Sequence, residues 1–310
     1  MARDAIRARL DPDLRIRVIG VRELHYTAAA SPDEDRPPHV RAASGLAFSG
    51  GRLVVIQDDA AFIATVGRDE VAAIALPRGA GGRRRFEVAL GNKQDKLDLE
   101  ACVAVGEEIW AFGSGSSDMR ERIAVIGYAT QIVDASGLYR KIHDELGGAI
   151  NLEGAASVGD ELWLFHRGNT GPDDHGPATI RFDRAAMSKW LQGLGAVPSI
   201  IDSTPYDLGA IGGVQLGFTD AVGVGGRVFY LAAAEASPNA IDDGAVSGSQ
   251  LGVIDGNVVR AASLEHDGTP LKAEGIAFDP ANPQHAWISV DPDDVDQPAS
   301  LYEVELVGAW

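Results

Sequence analysis

The chain has 310 residues, 45% of them apolar, and a formal net charge of −18. That length supports a sizeable core, and no apolar run is long enough to cross a bilayer. The acidity repels nucleic acid and anionic lipid and favours cations, although acidity also serves solubility by itself. Neither a nucleic-acid nor a membrane partner is therefore expected. A small-molecule substrate or ligand is, and a protein partner is left open.

Residues 1–10 alternate charge and alanine without an apolar h-region, so no secretory signal is read there. The single cysteine, Cys102, excludes an intrachain disulfide and lies in an apolar stretch as a buried thiol. Both points lead to the expectation of a cytoplasmic protein. Residues 14–19 read as a strand, and the polar, proline-rich residues 28–38 as a loop.

From there the chain repeats itself. Segments beginning at Ser44, Glu100, Glu153, Asp220 and Glu274 each start with small residues, and a tight turn carrying Gly or Asp follows. Each then enters a strand rich in aromatic and β-branched residues, at 52–56, 109–112, 162–165, 227–231 and 286–290. Third and fourth strands are read at 61–65 and 71–75, 122–126, 178–182, 251–254 and 258–261, and 301–306. A helical stretch at 184–194 interrupts the third unit, with Met187, Trp190 and Leu191 at helical spacing. The period predicts one all-β domain over 1–310, a β-propeller of about five four-stranded blades, with six as the alternative. A sandwich or two packed domains is the competing fold. The last unit is one strand short, and strand 14–19 is expected to pair with 301–306 and close the ring.

In a meandering blade the start of the first strand and the end of the second lie at one face. Four of the five first strands start on an acid: Glu100, Glu153, Asp220 and Glu274. Unpaired buried carboxylates are costly, and facing carboxylates raise one another's pKa. A divalent cation with oxygen ligands, Ca²⁺ before Mg²⁺, relieves both penalties. Backbone amides of a neighbouring blade would relieve them equally well.

Lys96, Asn151 and Lys272 precede these acids. Asp58, Ser114, Glu235 and Asp291 end second strands, and all seven are candidate substrate contacts. His166 and Arg167 are candidates for proton transfer and substrate orientation. The alternative is a histidine packed on the next blade and an arginine paired with an acid. Asn169 follows the same pair. Asp291, Asp293, Asp294 and Asp296 offer oxygen ligands without the glycine and distal glutamate of a helix-loop-helix calcium site. No nucleophile elbow, phosphate-cradling loop or zinc spacing is present in the sequence.

Glu274-Gly275-Ile276-Ala277-Phe278-Asp279 and Asn151-Leu152-Glu153-Gly154 resemble the Glu-Gly steps of bacterial phytase-like and esterase-like propellers, uncharacterised members included. The resemblance covers the repeat unit and implies Ca²⁺-assisted hydrolysis of a phosphoester or ester at the channel mouth. The chain departs from that pattern in having about five units rather than six. It also lacks an obvious Lys/Arg cluster for a highly phosphorylated substrate. The expectation is a cation-dependent hydrolase of a small polar or anionic substrate; the alternative is a non-enzymatic binding or scaffold propeller with a structural ion.

Overall fold

A computed structural model describes residues 4–168, 174–236 and 246–310. Two strands come first, β1 (Ile6–Leu10) and β2 (Arg15–Glu23). An antiparallel meander follows: β3 (Ala43–Ser49), β4 (Arg52–Gln57), β5 (Phe62–Val66) and β6 (Val71–Ala75). The second meander is β7 (Leu99–Val105), β8 (Glu108–Gly113), β9 (Arg122–Ile126) and β10 (Thr130–Asp134), and α1 (Ser136–Leu146) leaves it.

The third comprises β11 (Leu152–Val158), β12 (Glu161–His166) and β13 (Ala178–Asp183), then α2 (Arg184–Leu191) and β14 (Ile200–Asp207). A short ladder, β15 (Ala210–Ile211) with β16 (Val214–Gln215), leads to the fourth: β17 (Gly217–Val224), β18 (Arg227–Glu235), β19 (Val246–Asp255) and β20 (Val258–His266). β21 (Thr269–Pro270) pairs with β20. The last sheet is β22 (Ala273–Asp279), β23 (Asn282–Val290) and β24 (Ser300–Val307), with β2 outermost; Ile16 lies opposite Leu306 and Val18 opposite Val304. The terminal strand pairing read from the sequence is thus present.

The first strands adjoin in the cyclic order β3, β7, β11, β17, β22 and back to β3, an all-β arrangement consistent with a propeller. Apolar cores fill the spaces between successive sheets. Ile56, Ile63 and Cys102 pack between the first two, and Trp110, Leu152 and Phe182 between the second and third. Phe165, Phe218 and Tyr230 join the third to the fourth, Phe229 and Phe278 the fourth to the fifth, and Val55 and Leu301 the fifth to the first. Each fully buried large side chain contributes roughly 1.5–3 kcal/mol.

Several elements lie outside the sequence reading, β10 and the short β15, β16 and β21 among them. β1 pairs in parallel with both β14 and β20, so it joins the outer strands of the third and fourth sheets. β14 itself was not read, because its strand follows the helical interruption. α1 buries Leu138, Tyr139 and Ile142 on one face and ends at Gly147, whose φ of 75° suits a left-handed cap. α2 starts where the Asp183 carboxylate accepts the Ala186 amide.

Candidate functional site at the mouth of the first strands

Every first strand carries a β-bulge at the same step. The unpaired residues are Ser44, Glu100, Glu153, Thr219 and Glu274. This corrects the register of the fourth unit: Asp220 lies one residue beyond the position equivalent to Glu153, which Thr219 holds. The consequence is chemical. A one-residue step turns a side chain to the other face of a strand. Thr219 Oγ1 donates to the Ala273 carbonyl at 2.7 Å, and Ser44 Oγ donates to the Leu99 carbonyl at 2.5 Å. Both hydroxyls tie one sheet to the next.

Asp220 is fully buried, and its carboxylate accepts the Ile276 amide at 2.7 Å and its neighbour Ala221's amide at 2.8 Å. Burial pushes its pKa well up, opposed by the amides of Ile276, Ala221 and Leu46. Asp220 is therefore not among the acids gathered at the mouth. In four of the five strands the residue after the bulge is small, Gly45, Ala101, Gly154 and Gly275, for a related reason. A Cβ on Gly275 would lie 2.8 Å from the Leu46 amide nitrogen, and one on Gly154 would lie 3.0 Å from that of Ala221.

The remaining acids gather at one end. Asp58, Asp98 and Glu100 each present a carboxylate oxygen within 4.8 Å of the others. Lys96, buried, pairs with Asp58 and lies 2.6 Å from Asp98. Arg120 approaches Asp98 at 2.9 Å, and Ser114 donates to the same carboxylate. Burial raises the Asp98 pKa, but Lys96, Arg120 and Ser114 bring it below its ordinary value. Asp98 also has φ 55°, a left-handed conformation uncommon for residues other than glycine. Glu100 is pushed the other way. Burial, with Asp58 and Asp98 beside it, raises its pKa well above the carboxylate range.

A second group adjoins the first. Arg167 holds Glu153 at 2.7 Å and also pairs with the buried Glu235, which clamps the end of β12 to the end of β18. Asn151 donates to Glu153 Oε1 at 2.5 Å, while Oε2, buried, has no hydrogen-bond partner among the described residues. Lys272 reaches Glu274 at 3.7 Å and Asp291 at 4.0 Å and also pairs with Asp293. Burial raises Glu274 well above its ordinary value, with Glu153 and Glu235 adding to the effect against Lys272 and Arg167. Burial likewise pushes Asp291 up to about 7, and Asp58 adds to the rise.

His166 lies apart from these groups in its contacts. It is 2% exposed; its Nδ1 meets the Asn151 backbone at 3.1 Å and its Nε2 faces Asp174 at 3.4 Å. Asn169 falls outside the described residues.

A cavity of about 1100 Å³ opens over Asp58, Lys96 and Asp291. The sequence reading missed what builds its rim. Asp35, at the end of the 28–38 loop, receives Arg83 at 3.2 Å and Arg85 at 3.0 Å, and Glu34 receives Arg84 at 2.8 Å. Arg41, buried, meets Asp59 at 2.6 Å and Glu87 at 3.1 Å. The consecutive arginines at 83–85 were the available signal.

The model of the Family of unknown function (DUF6929) matches residues 39–306. No curated protein matches the chain. Among solved structures, glutaminyl cyclase of Myxococcus xanthus superposes with a TM-score of 0.51 at 12% identity, covering 99% of this chain and 100% of that one. Mannose phosphorylase of Leishmania mexicana gives 0.49 at 14%, covering 93% and 88%. Aldose sugar dehydrogenase of Streptomyces coelicolor gives 0.43 at 11%, covering 96% and 100%. At 12% identity the likeness to the glutaminyl cyclase concerns the fold alone. No helix of the described residues is long and apolar enough to cross a membrane.

Proposed function

We propose that this chain, which belongs to the Family of unknown function (DUF6929), is a five-bladed propeller enzyme that hydrolyses a small polar or anionic ester at its acid-lined mouth with a divalent cation, Ca²⁺ before Mg²⁺. The five four-stranded meanders in cyclic order support the blade count. One observation carries the site: the oxygens of Asp58, Asp98 and Glu100 converge within 4.8 Å beside the large cavity. The donor set fits such an ion, because it consists of hard oxygens. Asp58 Oδ1 and Glu153 Oε2 are buried oxygens without a hydrogen-bond partner among the described residues. Asp58 and Glu153 would offer these oxygens to the ion, while Asp98 is engaged by Lys96, Arg120 and Ser114 and Glu100 is left for proton transfer. When bound, it would supply Lewis-acid polarisation of the ester.

Glu100, whose pKa burial and its acidic neighbours raise well above the carboxylate range, donates a proton to the leaving oxygen. The attacking water gives up its proton to the solvent of the cavity, so water adds across the cleaved bond and yields an acid and an alcohol. Arg167 fixes Glu153 and Glu235, and Lys272 fixes Glu274 and Asp291. His166 has no part, since its ring nitrogens are engaged elsewhere. The Glu-Gly steps that resemble phytase-like and esterase-like propellers agree with this chemistry, but the packing of the first strands accounts for their glycines. A cytoplasmic location and the absence of nucleic-acid or membrane partners belong to the same reading.

The test is melting with chelator and with added Ca²⁺, together with turnover of aryl phosphates and acetates. Chelator should lower the melting temperature and abolish turnover, and Ca²⁺ should restore both. Identical melting under both conditions and no turnover would replace this reading with a binding propeller.

A further inference from the structure

The cavity beside the mouth carries charge of both signs in separate segments. Arg83 and Arg85 share one carboxylate, that of Asp35. Arg36 lines the same wall and bonds to the carbonyls of Ala28 and Pro37 under the Tyr26 ring. This wall has more guanidinium than carboxylate. The 291–296 loop supplies another wall, where Asp294 and Asp296 form no ion pair among the described residues. Within the cavity, Arg41 is 2% exposed, and its Nε has no acceptor among the described residues. Asp59 Oδ1 similarly has no donor. A buried donor and a buried acceptor, each lacking a partner, are costly unless a ligand satisfies both.

We propose that this cavity binds a zwitterion, its anionic group, carboxylate or phosphate, held by Arg83, Arg85 and Arg41 Nε, and its ammonium held by Asp59 and Asp294. The proposal rests on the reading that the mouth takes a small molecule, and it names the class. A bare anion would face the aspartates, and a bare amine would face the arginines, so each loses what one wall gives the other. The cavity volume is within reach of small-molecule sites.

Calorimetric titration of the full chain, without divalent cation, tests it. The probes are phosphoethanolamine and glycylglycine, against inorganic phosphate, ethanolamine and glucose. At least one zwitterion should bind, with each singly charged or neutral probe weaker by about tenfold or more. The tighter zwitterion identifies phosphate or carboxylate as the anion. Arg83→Ala and Asp294→Asn should each weaken that zwitterion about tenfold. Both side chains are partly or fully exposed, and unchanged circular dichroism should accompany the loss. The proposal is overturned if glucose or a singly charged probe binds as tightly, if neither zwitterion binds at about 10 mM, or if both variants bind like wild type. Zwitterion binding without any Ca²⁺ response would sink the cation-dependent hydrolase alone. A Ca²⁺ response without zwitterion binding would sink this inference alone.

Discussion

Asp220 and Glu153 belong to adjoining first strands and differ by one step in register, yet different groups supply their hydrogen bonds. Asp220 lies past its bulge, where amides of other strands meet its carboxylate. Glu153 is the bulge residue; Asn151 and Arg167 meet one oxygen, and the other has no partner among the described residues. A saturated buried carboxylate ties strands together, and an unsaturated one calls for a partner that the strands do not supply. The comparison teaches that acids in a repeat cannot be sorted by residue type. They sort by whether the backbone supplies their donors.

The largest expected effect comes from breaking the saturated side. Asp220→Ala leaves buried amides without an acceptor and should cost about 3 kcal/mol or more in urea unfolding. Asp220→Asn keeps one acceptor oxygen and should cost less. A loss under about 1 kcal/mol for the alanine variant would erase the distinction.

The opposite side should respond in activity instead. Glu100→Gln removes the proposed proton donor while keeping its shape, so turnover should fall about 100-fold or more with little change in melting. Glu153→Gln should blunt the Ca²⁺-dependent rise in melting temperature. Equal melting responses in wild type and variant would show that Glu153 holds no ion.

Next in size is the pH dependence. Burial raises Asp59 and Asp291 from 3.8 to about 7. The folded state then binds protons that the unfolded state has released, so their stabilisation is full below the unfolded value and is lost as pH rises through about 7. Melting temperature should fall between about pH 5 and pH 8, and Asp291→Asn should flatten that slope. A rising curve in the same window would contradict the burial of these groups. The smallest effects belong to the hydroxyl ties. Ser44→Ala and Thr219→Val should each cost about 1 kcal/mol, measured by denaturant midpoint.

Much of the chain announced itself locally. Turns carrying Gly or Asp between a small-residue strand and an aromatic one mark each meander, because hairpin sterics and sheet packing act within a few residues. The pairing of β2 with β24 followed from counting strands, since a sheet lacking its outer strand leaves an open edge. Glu100, Glu153 and Glu274 could be placed together for the same reason: they stand at one step of one repeat.

What tertiary structure alone decided depends on contacts between distant segments. The Asp220 register turned on a bulge at Thr219, which shifts the pairing by one residue between Phe218 and Asp220. β1 joins β14 and β20 only because their outer edges come near one another. The arginines at 83–85 became a cavity wall when Glu34 and Asp35, some fifty positions earlier, received them. Strand identity is a short-range property, written in steric and hydrophobic pattern. A carboxylate's partner is a long-range one, and it exists only once the ring has brought the segments together.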